Sequence, residues 1–467
     1  MTGVQTCALP ISLAVARAEG VGWRGDGTGR YPDARPALEW GNESHVQWRT
    51  PTASWSNATP VVIGERVFIT VEPATLLGLS LADGKILWEK TLVFADLLSD
   101  AEKAEAAEMA KQYTDVEKQL QAIQAEEREA LKGWDEVKKL LKENAENAEA
   151  QAKDKTFREA QGALRERMNP LRGQLKTLAK FRDPPTHGIN GYVSSTPVSD
   201  GKRLFVLYGT GIAAAYDLDG NRLWARRTPR PTHDWGHSAS PALVGGRLIL
   251  HVAGEILALN PDNGEPVWTV KGGNNWGSPL AARVAGEDVI VTGGGDLVKV
   301  ADGTIVARQL VNLPWGGALV QDGVVYACDE NGARATRLPD ALAPDLKLEP
   351  LWTATPKKDR YYASPTCHEG LLYVLNQRGF LTVLDAQSGQ TVYERDLQLG
   401  GTAFPSPVLA GNRLLFSSDS GKTVILEAGR EGKELGRNQL DGFRSTPVPV
   451  GERLLIRTLK SVVCIAP

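Results

Sequence analysis

The chain has 467 residues, 42% of them hydrophobic, with 48 glycines and a formal net charge of −3. That length allows a large buried core, and the near-neutral charge excludes a general affinity for polyanions such as nucleic acid. No apolar run is long enough to span a bilayer.

In chain order, residues 1–18 come first and read as a truncated leader or scar. Ala8 to Ala18 is mostly apolar and ends in Ala16-Arg17-Ala18, similar to a cleavage site, but Met1 to Thr6 lacks the basic start of a secretory signal. Cys7 has no convincing lipidation context. Residues 19–55 hold Trp23-Arg-Gly-Asp-Gly-Thr-Gly29 and His45-Val-Gln-Trp48. Arg24-Gly25-Asp26 spells an adhesion tripeptide, which is read as a chance match inside the longer motif.

From residue 56 a pattern repeats eight times. A Ser/Thr-Pro step is followed by a Gly turn, an apolar strand, a small-residue strand and Asp/Asn-Gly-x-x-Leu-Trp. Pro60, Pro197, Pro241, Pro279, Pro365, Pro407 and Pro447 mark seven starts, and Ala318 stands in the fifth. Apart from one long gap the spacing is about 40 residues, the period of a four-stranded propeller blade. A unit of that size cannot bury a core alone, so the copies must stack. The fold expected is all-β: an eight-bladed β-propeller, with blade 1 at 56–95 and blades 2–8 at 183–467. The eighth copy stops at Cys464-Ile-Ala-Pro467 before an outer strand. His45-Val-Gln-Trp48 matches the missing strand and is expected to close the ring. The tryptophans at the blade ends are expected to pack between neighbours.

Residues 96–182 interrupt the repeats with a highly charged stretch that has no Gly or Pro before Gly133. One heptad register runs through Met109, Tyr113, Val116, Leu120, Ile123, Glu127, Ala130, Trp134, Val137 and Leu141. A second runs through Phe157, Gln161, Leu164, Met168, Leu171, Leu175 and Leu178. The polar stretch Asn144 to Ala152 is expected to turn between them. An antiparallel coiled-coil hairpin follows, with arms of roughly 50–65 Å and a kink at Pro170. It either satisfies itself or docks on a protein partner.

The loops entering the inner strands should gather at one mouth of the propeller channel, where function usually sits. They carry the aromatics Trp55, Tyr192, Trp235, Trp276, Trp315, Tyr361, Tyr362, Phe404 and Phe443. Beside these stand His187, Asn190, His233, Asp234, His237, Asn274, Asn275, Arg360 and Arg444. The ring either plugs the channel or forms a ligand site with stacking walls. The candidate ligand-binding residues are His187, Asn190, Tyr192, His233, Asp234, Trp235, His237, Asn275, Trp276, Trp315, Arg360, Tyr361 and Arg444. His187, His233 and His237 do not follow a known metal spacing. No Ser-His-Asp or paired-carboxylate signature is placed.

Trp23 to Gly29 and the repeats, over 23–94 and 188–467, resemble the pyrroloquinoline-quinone-like (PQQ-like) β-propeller family of secreted bacterial proteins. That resemblance implies a periplasmic or secreted chain, and the fold hosts both enzymes and scaffolds. Dehydrogenases of the family clamp a planar quinone between a Trp and an adjacent-Cys disulfide, beside calcium and an Asp base. Cys7, Cys328, Cys367 and Cys464 include no adjacent pair, and no calcium constellation is evident. Two readings stand. The favoured one is a non-catalytic scaffold of the cell envelope that binds a protein partner through the coiled-coil arm or the loops, without cofactor. The other is a quinone- or metal-dependent oxidoreductase.

Overall fold

The computed structural model describes residues 20–273 and 275–467. The leader-like segment, Cys7 and Asn274 lie outside them. The chain divides into two compact units, one made of residues 1–93 and 185–467 and one of residues 94–184.

In the first unit the described strands form eight sheets. Each innermost strand starts one residue after its marker: Val61 after Pro60, Val198 after Pro197, Ala242 after Pro241 and Leu280 after Pro279. The same holds for Leu319 after Ala318, Thr366 after Pro365, Val408 after Pro407 and Val448 after Pro447. Proline has no N–H for a ladder, so it belongs just outside a strand. Successive strands are antiparallel and joined in order, as in Val61–Ile63, Arg66–Val71, Thr75–Ser80 and Ile86–Thr91. Repeated four-stranded sheets of this kind make a β-propeller.

The blade-end tryptophans clasp the next sheet. Indole Nε1 donates to a carbonyl there in five places: Trp48 to Leu81 at 3.0 Å, Trp88 to Leu218 at 3.0 Å, Trp224 to Pro261 at 2.9 Å, Trp268 to Val300 at 2.8 Å and Trp352 to Ala386 at 2.9 Å. Under each indole lies the turn glycine of that next sheet: Gly84, Gly220, Gly264, Gly303 and Gly389. A Cβ on any of them would stand 2.4–2.8 Å from the ring. Sequence shows Asp/Asn-Gly as a turn signal, but the glycine is also required by the indole it faces.

The fourth sheet ends in Ile305–Ala307 without a tryptophan. There the Pro-rich excursion after Leu338 returns, and Leu346 N–H donates to the Val306 carbonyl at 2.9 Å. Leu338, Leu342 and Leu348 join Val306 in one apolar cluster. The excursion thus fills the place of the absent indole.

Val46–Pro51 pairs antiparallel with Ser461–Ile465, so the N-terminal segment supplies the outer strand of the last sheet. Residues 20–31 take a course the sequence did not reveal. Val21 exchanges backbone hydrogen bonds with Ser199, and the Arg24 guanidinium donates to the Pro365 carbonyl at 2.8 Å and to Thr366 Oγ1 at 2.6 Å. Arg30–Tyr31 pairs parallel with Leu409 and Ala410. The segment also meets Leu243, Leu280 and Gly317, and therefore touches the innermost strand or its entry loop in six sheets. Arg24 is fully buried, so the Arg-Gly-Asp triplet is not displayed for adhesion.

The second unit holds three helices, Asp100–Ala130, Trp134–Glu143 and Ala148–Leu178. Ser99 and Glu102 form a reciprocal capping box at the first. Ile123 packs with Leu164 and Met168, beside Leu120 and Leu171. Ion pairs Glu126–Arg167 at 2.6 Å and Glu105–Lys180 at 2.8 Å fix an antiparallel pairing of the two long helices. The first register does not run unbroken to Leu141. Gly133 has φ 85° and starts a separate helix, Ala130 is exposed, and Leu131 is half-buried instead. The turn is shorter than expected, because Asn147 caps the last helix already at Ala148. Asp154, inside the expected turn's flank, accepts from Trp134 Nε1 at 2.7 Å and pairs with Arg158. The last helix continues through Pro170. No helix among the described residues is long and apolar enough to cross a membrane.

Candidate functional site

The innermost strands begin around a central cavity of about 370 Å³. Just before each strand stands a hydroxyl residue: Thr59, Thr196, Ser240, Ser278, Ser364, Ser406 and Thr446, with Gly317 in the remaining sheet. All eight residues line the cavity. Most are linked in a belt. Thr59 N–H donates to Thr196 Oγ1 at 3.0 Å, Thr196 N–H to Ser240 Oγ at 3.0 Å and Ser240 N–H to Ser278 Oγ at 2.9 Å. On the other side Gly317 N–H donates to Ser364 Oγ at 3.0 Å, Ser364 N–H to Ser406 Oγ at 3.0 Å and Ser406 N–H to Thr446 Oγ1 at 3.2 Å. These N–H groups stand just ahead of the strands, outside the ladders, and the neighbouring hydroxyl supplies each with an acceptor. The belt ties sheet to sheet at the axis, as the tryptophans do at the rim.

Trp23 lines the same cavity. The segment around it meets the inner strands a few residues beyond the belt, at Ser199, Thr366 and Leu409. The order along the channel is therefore entry loops, belt, then the Trp23 segment.

The entry loops build an aromatic wall. Trp276 stacks on Trp315 with ring centroids 5.2 Å apart, and Trp235 meets Trp315 edge-on at 6.5 Å. Tyr362 contacts Trp315 edge-on at 6.5 Å and stacks on Phe404 at 5.1 Å. Outside this, His187 stacks on Trp235 at 4.0 Å and His233 meets the Trp276 edge at 5.1 Å. Asn190 Nδ2 donates to the Trp235 carbonyl at 2.6 Å and the His237 carbonyl at 3.0 Å, holding the loop.

Of the thirteen candidate residues, Asn190, Trp235, Trp276, Trp315, Arg360 and Arg444 line the cavity. His187, His233 and Asp234 lie exposed outside it. His237 is buried, bonds the Ala239 carbonyl at 2.8 Å, and burial pushes its pKa down to about 4, so it is a neutral structural imidazole. Tyr361 points into the core beside Cys328 and Trp352, its hydroxyl donating to the Lys357 carbonyl at 2.7 Å. Its neighbour Tyr362 takes the cavity side. Tyr192 is held through its backbone N–H, which donates to Glu72 at 2.7 Å, and it does not line the cavity. Asn275 faces Gly273 and Gly294 instead. Sequence reasoning did not single out the belt, Asn57, Gln377 or Trp23. The Ser/Thr before each proline was the available signal for the belt.

A profile of the family described as "Outer membrane protein assembly factor BamB" matches residues 186–275 and 252–466, more than half of the chain. The chain belongs to this PQQ-like β-propeller family. No curated protein matches it in sequence. BamB from Moraxella catarrhalis is 15% identical over 57% of this chain and 82% of that one, with a TM-score of 0.48. A europium-containing methanol dehydrogenase is 11% identical over 89% and 85%, with a TM-score of 0.54. The quinohemoprotein alcohol dehydrogenase of Comamonas testosteroni is 10% identical over 93% and 76%, with a TM-score of 0.52. Identities this low carry the fold alone.

The residues of this PQQ-like propeller do not fit a calcium-bound quinone. Calcium takes six to eight oxygen ligands with carboxylates prominent among them, and no Asp, Glu or Cys lines the cavity among the described residues. No cluster of three or more His, Cys, Asp or Glu suited to a metal occurs among them either. Cys328, Cys367 and Cys464 are buried free thiols in separate sheets, and burial raises all three pKa values, those of Cys367 and Cys464 to about 11.

Proposed function

We propose that this chain is a non-catalytic binding protein of the bacterial cell envelope, periplasmic or secreted. Its eight sheets form one closed eight-bladed propeller, and residues 96–182 form a coiled-coil arm. The arm and the propeller loops engage a protein partner. The observation that carries this reading is the chemistry of the central cavity. Among the described residues its walls offer indoles, hydroxyls, amides and two guanidiniums, but no carboxylate or thiol to act as base, nucleophile or metal ligand. A hydroxyl needs an adjacent base to act as a nucleophile, and no carboxylate or imidazole lines this wall among the described residues, which supports binding without turnover. The family's description as an outer-membrane assembly factor supports the compartment and the partner class.

The test is a pull-down from cell-envelope extract with an added bifunctional chemical cross-linker, which can react on the propeller as well as on the arm. The same protein should be captured repeatedly, and a form lacking residues 94–184 with unchanged near-ultraviolet circular dichroism should lose it. Equal capture by both forms would remove the arm from the reading.

A further inference from the structure

The cavity is rich in donors and short of acceptors. Six belt hydroxyls, those of Thr196, Ser240, Ser278, Ser364, Ser406 and Thr446, each already accept a backbone N–H. An accepting hydroxyl keeps its own proton to donate. Arg360 and Arg444 add two guanidiniums; among the described residues no carboxylate lines the cavity, and the carboxylates that act on them, Asp359 and Glu330 for Arg360 and Asp419 for Arg444, lie outside it. Arg360 is exposed and sits over the Trp315 ring at 5.9 Å. Arg444 leans on the Ile189 carbonyl at 3.2 Å while its buried Nε has no partner. Asn57 donates to that same carbonyl at 2.7 Å and to Ser194 Oγ at 2.8 Å, and its Oδ1 is left without a partner. An unpartnered buried polar atom is destabilising, so both side chains gain by turning toward a ligand in the cavity they line.

The ligand that fits must therefore be anionic, rich in oxygen acceptors, able to offer a hydroxyl to Asn57, and flat enough for an indole. The cavity volume of about 370 Å³ lies at the small end of the range for small-molecule sites, about 300–1,000 Å³. We propose that this cavity binds a short saccharide carrying a uronic acid, its carboxylate paired with Arg444 or Arg360 and its ring face on the Trp276–Trp315 wall. Carboxylate supplies the acceptors that two guanidiniums need, and pyranose hydroxyls both donate and accept along the belt. This site is independent of the arm, so its failure leaves the partner reading untouched.

The experiment is titration of the full-length protein with digalacturonate, followed by tryptophan fluorescence and calorimetry. Neutral galactobiose and benzoate serve as controls for the sugar and the carboxylate alone. Saturable binding of digalacturonate with at least tenfold preference over both controls is expected. Arg444→Gln should weaken it about tenfold or more, the loss of one charge-assisted hydrogen bond. Arg360→Ala, at an exposed position, provides a second variant whose folding is not at risk, and it should weaken binding in the same direction. No saturable binding, equal affinity for galactobiose or benzoate, or unchanged affinity in both variants would overturn the proposal.

Discussion

Gly317 and Trp23 share one space. Gly317 stands where the other seven sheets carry a belt hydroxyl, and a Cβ on it would lie 3.0 Å from the Trp23 ring and 2.7 Å from Ser364 Oγ. The belt is interrupted there and the N-terminal segment is seated there. Gly317→Ser restores the repeat motif but overpacks this contact, and should cost about 1–3 kcal/mol in urea unfolding. Trp23→Ala should cost stability alone yet relieve Gly317→Ser, giving a coupling energy above about 0.5 kcal/mol in a double-mutant cycle. Strict additivity would place the two residues apart.

The clasp between sheets can be separated from backbone conformation by comparing two glycines. Gly220 has φ 82° and its Cβ would meet Trp88 at 2.7 Å, whereas Gly201 has φ 87° and open space around it. Gly201→Ala should lose only the left-handed backbone cost, about 1–2 kcal/mol. Gly220→Ala should lose that and the packing of Trp88, about 2–4 kcal/mol in total. Equal losses would mean that the indole yields without cost.

Glu72 should make stability depend on pH. Burial pushes its carboxyl up to about 7, against the pull of N–H donors from Val193 and Tyr192. The folded value exceeds the unfolded one, so this group favours the native state most below about pH 4.5, and that contribution is lost as pH rises through about 7. Both N–H groups donate to Oε1, so Glu72→Gln keeps both acceptor bonds. The variant should be more stable than the parent at pH 8 by about 1–3 kcal/mol, with the difference shrinking toward pH 5. A constant difference across that window would show that Glu72 is not buried as described.

In the helical unit, Met168 is wholly buried beside Ile123 and Leu164, while Leu140 is 47% exposed. Met168→Ala should cost about 2–5 kcal/mol and lower the melting temperature of the helical signal at 222 nm. Leu140→Ala should change it by under about 0.5 kcal/mol.

Much of the fold was legible because its determinants are local and repeated. Proline marks seven of the eight inner strands to the residue, with Ala318 in the fifth, and His45-Val-Gln-Trp48 reads as a stray outer strand because Trp48 carries the same clasp as Trp88. What was not legible depends on contacts distant in sequence. Nothing local says that Trp23 enters the channel, since Gly317, against which it sits, lies about 300 residues away. The belt was hidden because a Ser/Thr before proline also reads as a turn residue. Tyr361 and Tyr362 are adjacent aromatics, and only the backbone decides which faces the core. The first helical register failed at Leu131 because heptad spacing carries no information on where Gly133 breaks it.

The central claim is that the propeller binds without catalysing, and quinone reconstitution tests it most directly. Purified full-length protein is incubated with pyrroloquinoline quinone and calcium, separated from free quinone, and assayed for alcohol-dependent dye reduction. The account predicts no calcium-dependent retention of quinone absorbance and no dye reduction above the protein-free control. Stoichiometric, chelator-sensitive quinone binding with turnover would contradict it.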